Sequence, residues 1–255
     1  MGGRIVIVGS GETAPTMVKV HRVLIEQAGA GARAMLDTPF GFQANADDLT
    51  EKVLEYFADS VGERLEVARW RRRDEPVADR ERSLALLARS SFVFAGPGSP
   101  TYALRQWQET PVPRALVDVV GRGGTVVLGS AAAVTVGSYA VPVYEIYKVG
   151  EDPSWLPGLD LLGQLTGISA AVIPHFDNRE GGRHDTRYCY LGSQRLESME
   201  AAGLQRNANG ARNLPSSILH PLPTSSPAPT GTRNSALQPW PGTVLPGSPR
   251  SDPHG

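Results

Sequence analysis

Residues 126–134, VVLGSAAAV, pass from an apolar strand through a turn of small residues into a helix. Such a strand–turn–helix often carries a nucleophile at its apex, exposed above the end of a sheet. Taken at the centre of the turn, the apex is Ala131, which has no hydroxyl or thiol to offer; Ser130 is its neighbour, and adjacent residues of a tight turn point in different directions. A second element of the same chemistry lies upstream, in Gly96-Pro97-Gly98-Ser99-Pro100-Thr101. Glycines let the backbone approach a ligand and aim N–H groups at a developing oxyanion. Pro97 lacks an N–H, so Gly98 is the expected donor, while Ser99 and Pro100 carry the signature of a helix start. A third element is Pro174-His175-Phe176-Asp177-Asn178, where a histidine directly follows an apolar strand and is placed for general-base work.

Other residues could do other chemistry. Gly9-Ser10-Gly11-Glu12-Thr13-Ala14 fits the G-x-G-x-x-A dinucleotide fingerprint, with Asp37 where a ribose-binding acid could stand. Asp37 leads into a long loop, however, and glycine turns between strand and helix are common in α/β folds. His175, Asp177, His184 and Asp185 are potential metal ligands, yet no pair has i, i+4 spacing, and no metal is expected. Cys189 is a better intrinsic nucleophile than serine, but it stands among Tyr188, Tyr190 and Leu191 and reads as packed core.

The elements that must position these groups follow from periodicity. Strands are expected at 4–8, 33–36, 65–68, 91–95, 125–128 and 170–173, and helices at 15–27, 46–57, 77–88, 101–107 and 113–120. Strand and helix alternate, which implies parallel strands joined by right-handed crossovers. The fold class is α/β, three-layered with a mostly parallel sheet, and functional loops belong at the carboxyl ends of the strands.

Together, the glycine loop at 96–101, the turn at 129–134 and the P-H-F at 174–176 resemble the dipeptidase E and cyanophycinase family of serine peptidases over residues 4–198. The resemblance implies a flavodoxin-like sheet related to class I glutamine amidotransferase domains. Set on that family's G-x-S-A-G-A motif from Gly129, the turn places Ala131 at the nucleophile and Ala133 at the following glycine. His175 falls on the general base, and the N–H groups of Gly98 and Ala132 on the oxyanion hole. Gly9, Gly11, Glu12, Asp177, Asn178, His184 and Arg187 would line the substrate pocket. The implied function is a serine-type peptidase homologue impaired by loss of its hydroxyl, taking a small peptide or amino-acid-like ligand without a cofactor. A non-catalytic binding module using that pocket and a dinucleotide-binding enzyme are the alternatives.

Composition sets the remaining bounds. The chain has 255 residues, 40% apolar, a net charge of −1 and one cysteine. Near-zero charge argues against nucleic-acid or membrane-surface binding, and a single cysteine excludes an internal disulfide. The first apolar run is too short for a signal peptide, so a cytoplasmic protein is expected. Residues 1–200 read as the α/β domain and 201–255 as a disordered tail rich in Pro, Ser and Gly, with four arginines against the single acid Asp252. Further strands of the family fold are then missing, through a shifted reading frame, divergence or a natural extension. Apolar surface left uncovered would favour self-association, with a homodimer as the simplest form.

Overall fold

Strands whose two faces both carry apolar side chains must be covered on both sides, and the buried run Ser90–Ala95 is of that kind. In a computed structural model, which describes residues 2–179, 182–208 and 217–219, it lies in the interior of a five-stranded parallel sheet. In chain order the elements of this part are β1 (Arg4–Val8), α1 (Val18–Ala28), β2 (Ala32–Leu36), α2 (Ala46–Glu55), β3 (Glu66–Ala68), α3 (Val77–Arg89), β4 (Ser90–Ala95), α4 (Pro100–Trp107), α5 (Val112–Gly121), β5 (Thr125–Gly129) and α6 (Ser130–Val134). The sheet order is β1-β5-β4-β2-β3. Register sets Val8 beside Gly129, Ala95 beside Leu128 and Leu36 beside Ala95, so β1, β2, β4 and β5 all release their loops at one edge.

Side chains alternate across the pleat. Phe92 and Phe94 of β4, Met35 of β2 and Val127 of β5 face one core with Ile25, Leu49, Val53 and Phe57. Val93, Ala95, Leu36, Val126 and Leu128 face the other with Leu86, Leu87, Leu104 and Leu116. Helices thus cover both faces, and the expected three-layer, mostly parallel α/β architecture is the one observed.

The local signals behave as their chemistry requires. Ser99 caps α4, its Oγ accepting the Tyr102 N–H at 3.2 Å, with Pro100 at the first helical position. Pro15 opens a single 3₁₀ turn before α1, so this helix starts three residues later than its sequence pattern suggests. Past α6 come elements without an apolar period long enough to read: β6 (Tyr139–Ala140), β7 (Leu156–Pro157) and α7 (Leu161–Thr166), followed by β8 (Ala170–Val172), α8 (Ser193–Ala208) and β9 (Ser217–Leu219). They form a second sheet, ordered β7-β6-β8-β9, in which β9 pairs parallel with β8.

Two elements lie across or beyond the division expected at residue 200. The boundary expected at residue 200 falls inside α8, and Ser217–Leu219, within the expected tail, form a strand. Three residues between prolines suffice to extend an existing edge but are too few to show a period. The rest of the expected tail, from 220 onward, lies outside the described residues. Among the described residues no helix is long and apolar enough to cross a membrane.

Candidate functional site

The loops after β1, β2, β4, β5 and β8 converge at the carboxyl edge. The centre is the β5–α6 turn. Gly129 is extended (φ −109°, ψ 149°), and Ser130 is left-handed with φ 46°, a conformation costing about 1–3 kcal/mol for a residue with a Cβ. That strain marks Ser130, not Ala131, as the apex of the turn. Ser130 Oγ lies 2.9 Å from His175 Nε2. Ala131 is buried one residue further on, within α6. The expected apex of the turn, Ala131, is therefore corrected to Ser130. Anchoring the motif on Gly129 shifts it by one residue; anchoring it on the serine puts Leu128 and Ala132 at the two glycines.

His175 is likewise left-handed (φ 50°) and is held from two sides. Its N–H donates to Gly9 O at 3.2 Å, tying the β8 loop to the end of β1. Its carbonyl accepts the Cys189 N–H and the Asn178 N–H, each at 3.4 Å. Tyr188, Cys189 and Tyr190 are three successive left-handed residues, each costing about 1–2 kcal/mol. This turn packs Tyr190 against the His175 ring and Tyr188 against Phe176, at 5.9 and 4.9 Å between centroids.

Cys189 is buried, and desolvation pushes its thiol up to about 12. The core reading of this cysteine thus matches its surroundings. Iodoacetamide should leave Cys189 unmodified in the native protein at neutral pH and alkylate it in denaturant, read by intact mass; rapid native alkylation would contradict this burial.

The glycine loop approaches from β4. The Gly98 N–H has no acceptor among the described residues, while the Ala132 N–H, expected in the oxyanion hole, donates to Gly96 O at 3.3 Å. Ala131 stands in the first turn of α6, where backbone N–H groups lack helical acceptors. Gly98 has φ 144°, and a Cβ there would stand 2.0 Å from Pro39 O, the oxygen that accepts the Ser99 N–H at 2.8 Å. Gly98→Ala therefore combines a strained backbone with a collision against backbone. It should lower unfolding stability by at least about 1–3 kcal/mol, visible as a reduced urea midpoint. An unchanged midpoint would show that the loop is free to move.

Glu12 completes the ring. It is 5% exposed, and burial pushes its carboxyl up to about 7. Its Oε1 has no hydrogen-bond partner among the described residues. Of the other expected pocket residues, Gly9 reaches His175 through its carbonyl, and Gly11, left-handed at φ 66°, turns the loop. Asn178 is half-buried, with Nδ2 unpartnered among the described residues. Asp177, His184 and Arg187 are exposed on the loop after β8.

Arg187 is paired within its own loop. It makes two bonds of 2.8 Å to Asp185, whose Oδ2 also accepts the Ser193 N–H at the start of α8. That pairing holds the Asp185 carboxyl well below the usual carboxylate range. Among the described residues no three His, Cys, Asp or Glu side chains gather into a metal-binding group. Asp37, the candidate ribose acid, is fully buried and bonded to Arg71 Nε at 2.6 Å and to the Trp70 N–H at 3.3 Å, so it presents no oxygen to a ribose.

No family model matches the chain, and no curated protein matches it. Among solved structures, the chain is similar to a peptidase from an acI-B1 Actinobacterium, with a TM-score of 0.57, 20% identity and 69% of each chain covered. A protein provisionally called Peptidase E from Listeria monocytogenes EGD-e aligns with a TM-score of 0.46 and 12% identity, over 86% of this chain and 90% of that one. The first likeness establishes a shared fold.

Proposed function

We propose that this protein is a serine-type hydrolase of short peptides, with Ser130 as nucleophile and His175 as general base. The observation that carries the reading is the 2.9 Å approach of Ser130 Oγ to His175 Nε2 on a strained strand–turn–helix elbow. A serine hydroxyl is a weak nucleophile until an adjacent base takes its proton. Nε2 is the nitrogen at the hydroxyl, so it must be the unprotonated one in the resting state. Ser130 Oγ attacks the substrate carbonyl carbon as its proton passes to His175 Nε2. The oxyanion that forms is met by the N–H groups of Gly98 and Ala131. His175 then gives the proton to the departing amine, and water, deprotonated by the same nitrogen, hydrolyses the acyl-enzyme.

The likeness of fold to a protein described as a peptidase supports the choice of peptides as substrates. The loops gathered around Ser130 and His175 favour a small peptide or amino-acid-like ligand over a folded protein. The test is hydrolysis of a panel of dipeptides and short peptides, followed by amine release. Turnover that survives Cys189→Ser and is lost in His175→Ala is expected. Turnover of none of the panel, or turnover indifferent to His175, would defeat the reading.

A further inference from the structure

The mechanism above leaves the buried carboxyl of Glu12 without a task. Glu12 follows the glycine turn after β1, and its carbonyl accepts the His21 Nε2–H at 2.8 Å. His21 is fully buried on α1 with its ring against Phe57 and Phe94, at 4.9 and 5.8 Å between centroids. The point from which the Glu12 side chain leaves the backbone is therefore fixed.

That side chain runs into the space left by two absent side chains. A Cβ on Gly129 would lie 2.9 Å from Glu12 Cβ and Cγ and 3.0 Å from Cδ; one on Gly96 would lie 3.5 Å from Oε1. Gly129 immediately precedes Ser130, and Gly96 begins the loop that carries Gly98. The carboxyl is thus wedged between the two backbones that bring nucleophile and oxyanion donor together.

We propose that Glu12 is a positioning residue for Ser130, its uncharged carboxyl holding the ends of β4 and β5 at their working separation, and that its ionisation limits the site at alkaline pH. The environment suits the neutral form. Oε1 lacks a donor among the described residues, and burial of the charge outweighs the one contact that favours it, from the backbone of Glu12 itself. The ends of β4 and β5 present no acid or base. The titratable groups that reach this loop from other elements include His21 on α1, bonded to the Glu12 carbonyl, Tyr56, bonded to Ala14 O at 3.4 Å, and His175, whose backbone N–H reaches Gly9 O, and none is a fixed cation. A carboxylate formed here must gain water or donors by parting the loops that enclose it, which displaces Gly98 from Ser130.

The idea rests on the serine-hydrolase reading for its catalytic consequence, so the experiment has two arms. In the first, the rate at which a fluorophosphonate probe labels Ser130 is followed against pH for wild type and Glu12→Gln, which keeps the shape and removes the ionisation. Wild type should lose rate above about pH 7, approaching tenfold per pH unit, while Glu12→Gln keeps its rate. Superimposable profiles would overturn the proposal.

The second arm needs no catalysis. A carboxyl raised from 4.5 to about 7 in the folded state binds a proton there that the unfolded chain has released. Its contribution to stability is full below pH 4.5, is lost as pH rises to about 7, and stays lost above. The thermal midpoint of wild type should fall relative to Glu12→Gln across that window; a difference independent of pH would overturn the proposal. Absence of labelling at every pH would defeat the Ser130 reading alone and leave this second arm to decide on Glu12. Should Glu12→Gln not fold, the infrared band of the protonated carboxyl in wild type must vanish with the midpoint of the labelling profile; separate midpoints would overturn the idea.

Discussion

Ser130→Ala should abolish turnover of short peptides, lowering kcat by about 10⁴–10⁶-fold while leaving the fold intact. The size follows from the role: acyl transfer by this route forms a bond from Ser130 Oγ, and only binding and oxyanion contacts survive its removal. The substitution deletes one oxygen from a residue that already sits at the first position of α6. Alanine tolerates a left-handed conformation no better than serine, so the backbone strain remains and stability should change little. The companion variant is Ala131→Ser, which adds a hydroxyl one residue further on. It should neither replace Ser130 nor rescue Ser130→Ala, because Ala131 is buried inside the helix. Rescue would return the nucleophile position to residue 131 and contradict the geometry of the elbow.

Asp37→Ala should be the most destabilising single polar substitution away from the reacting atoms, costing about 3–5 kcal/mol. Asp37 is fully buried and accepts from Arg71 Nε and the Trp70 N–H, with Arg69 Nε at 3.9 Å. Removing the acid leaves the mostly buried Arg71 guanidinium with the exposed Asp47 at 2.8 Å and Thr50 at 3.3 Å. The consequence reaches the site along the chain. Asp37 precedes the turn Thr38–Phe40, and Pro39 in that turn accepts the Ser99 N–H and walls off Gly98. Thr38 is bonded on both sides, donating to Trp70 O and accepting from Trp107 Nε1 at 2.9 Å. Urea unfolding of Asp37→Ala should show a lower midpoint with an unchanged slope, and residual folded protein should turn over more slowly. Asp37→Asn, which keeps the shape and one acceptor, should fall between wild type and alanine. Equal midpoints for wild type and alanine would show that the ion pair contributes nothing net.

Much of the framework was legible because its signals are local. The buried runs of β1, β4 and β5, the Ser99-Pro100 cap and the glycines after each strand report their structure over a few residues. His175 was legible for the same reason, being the first polar residue after a buried strand. What escaped was information that exists only in three dimensions. Composition does not distinguish Ser130 from Ala131 as the apex of a tight turn. The one-residue register depends on where β5 ends, and in VVLGS either the glycine or the serine could end it. A signal is present in the sequence nonetheless: Ser130 is the only hydroxyl-bearing residue of VVLGSAAAV. The Ala132 N–H lost its expected role to Gly96 O, a partner 36 residues away that no spacing rule foresees. Asp37 carried the right type for ribose binding, but its pairing with Arg71 joins the ends of β2 and β3 across 34 residues. β9 is three residues long, and its strand character comes from the edge of β8 rather than from any pattern of its own.

The central claim is that Ser130 and His175 act as one catalytic unit. It is tested most directly by treating the folded protein with a fluorophosphonate probe and mapping the adduct by peptide mass spectrometry. A single adduct is expected, on Ser130, formed by wild type and Cys189→Ser, lost in Ser130→Ala, and slowed severely in His175→Ala. An adduct on another residue, or labelling of Ser130 at an unchanged rate without His175, would contradict it.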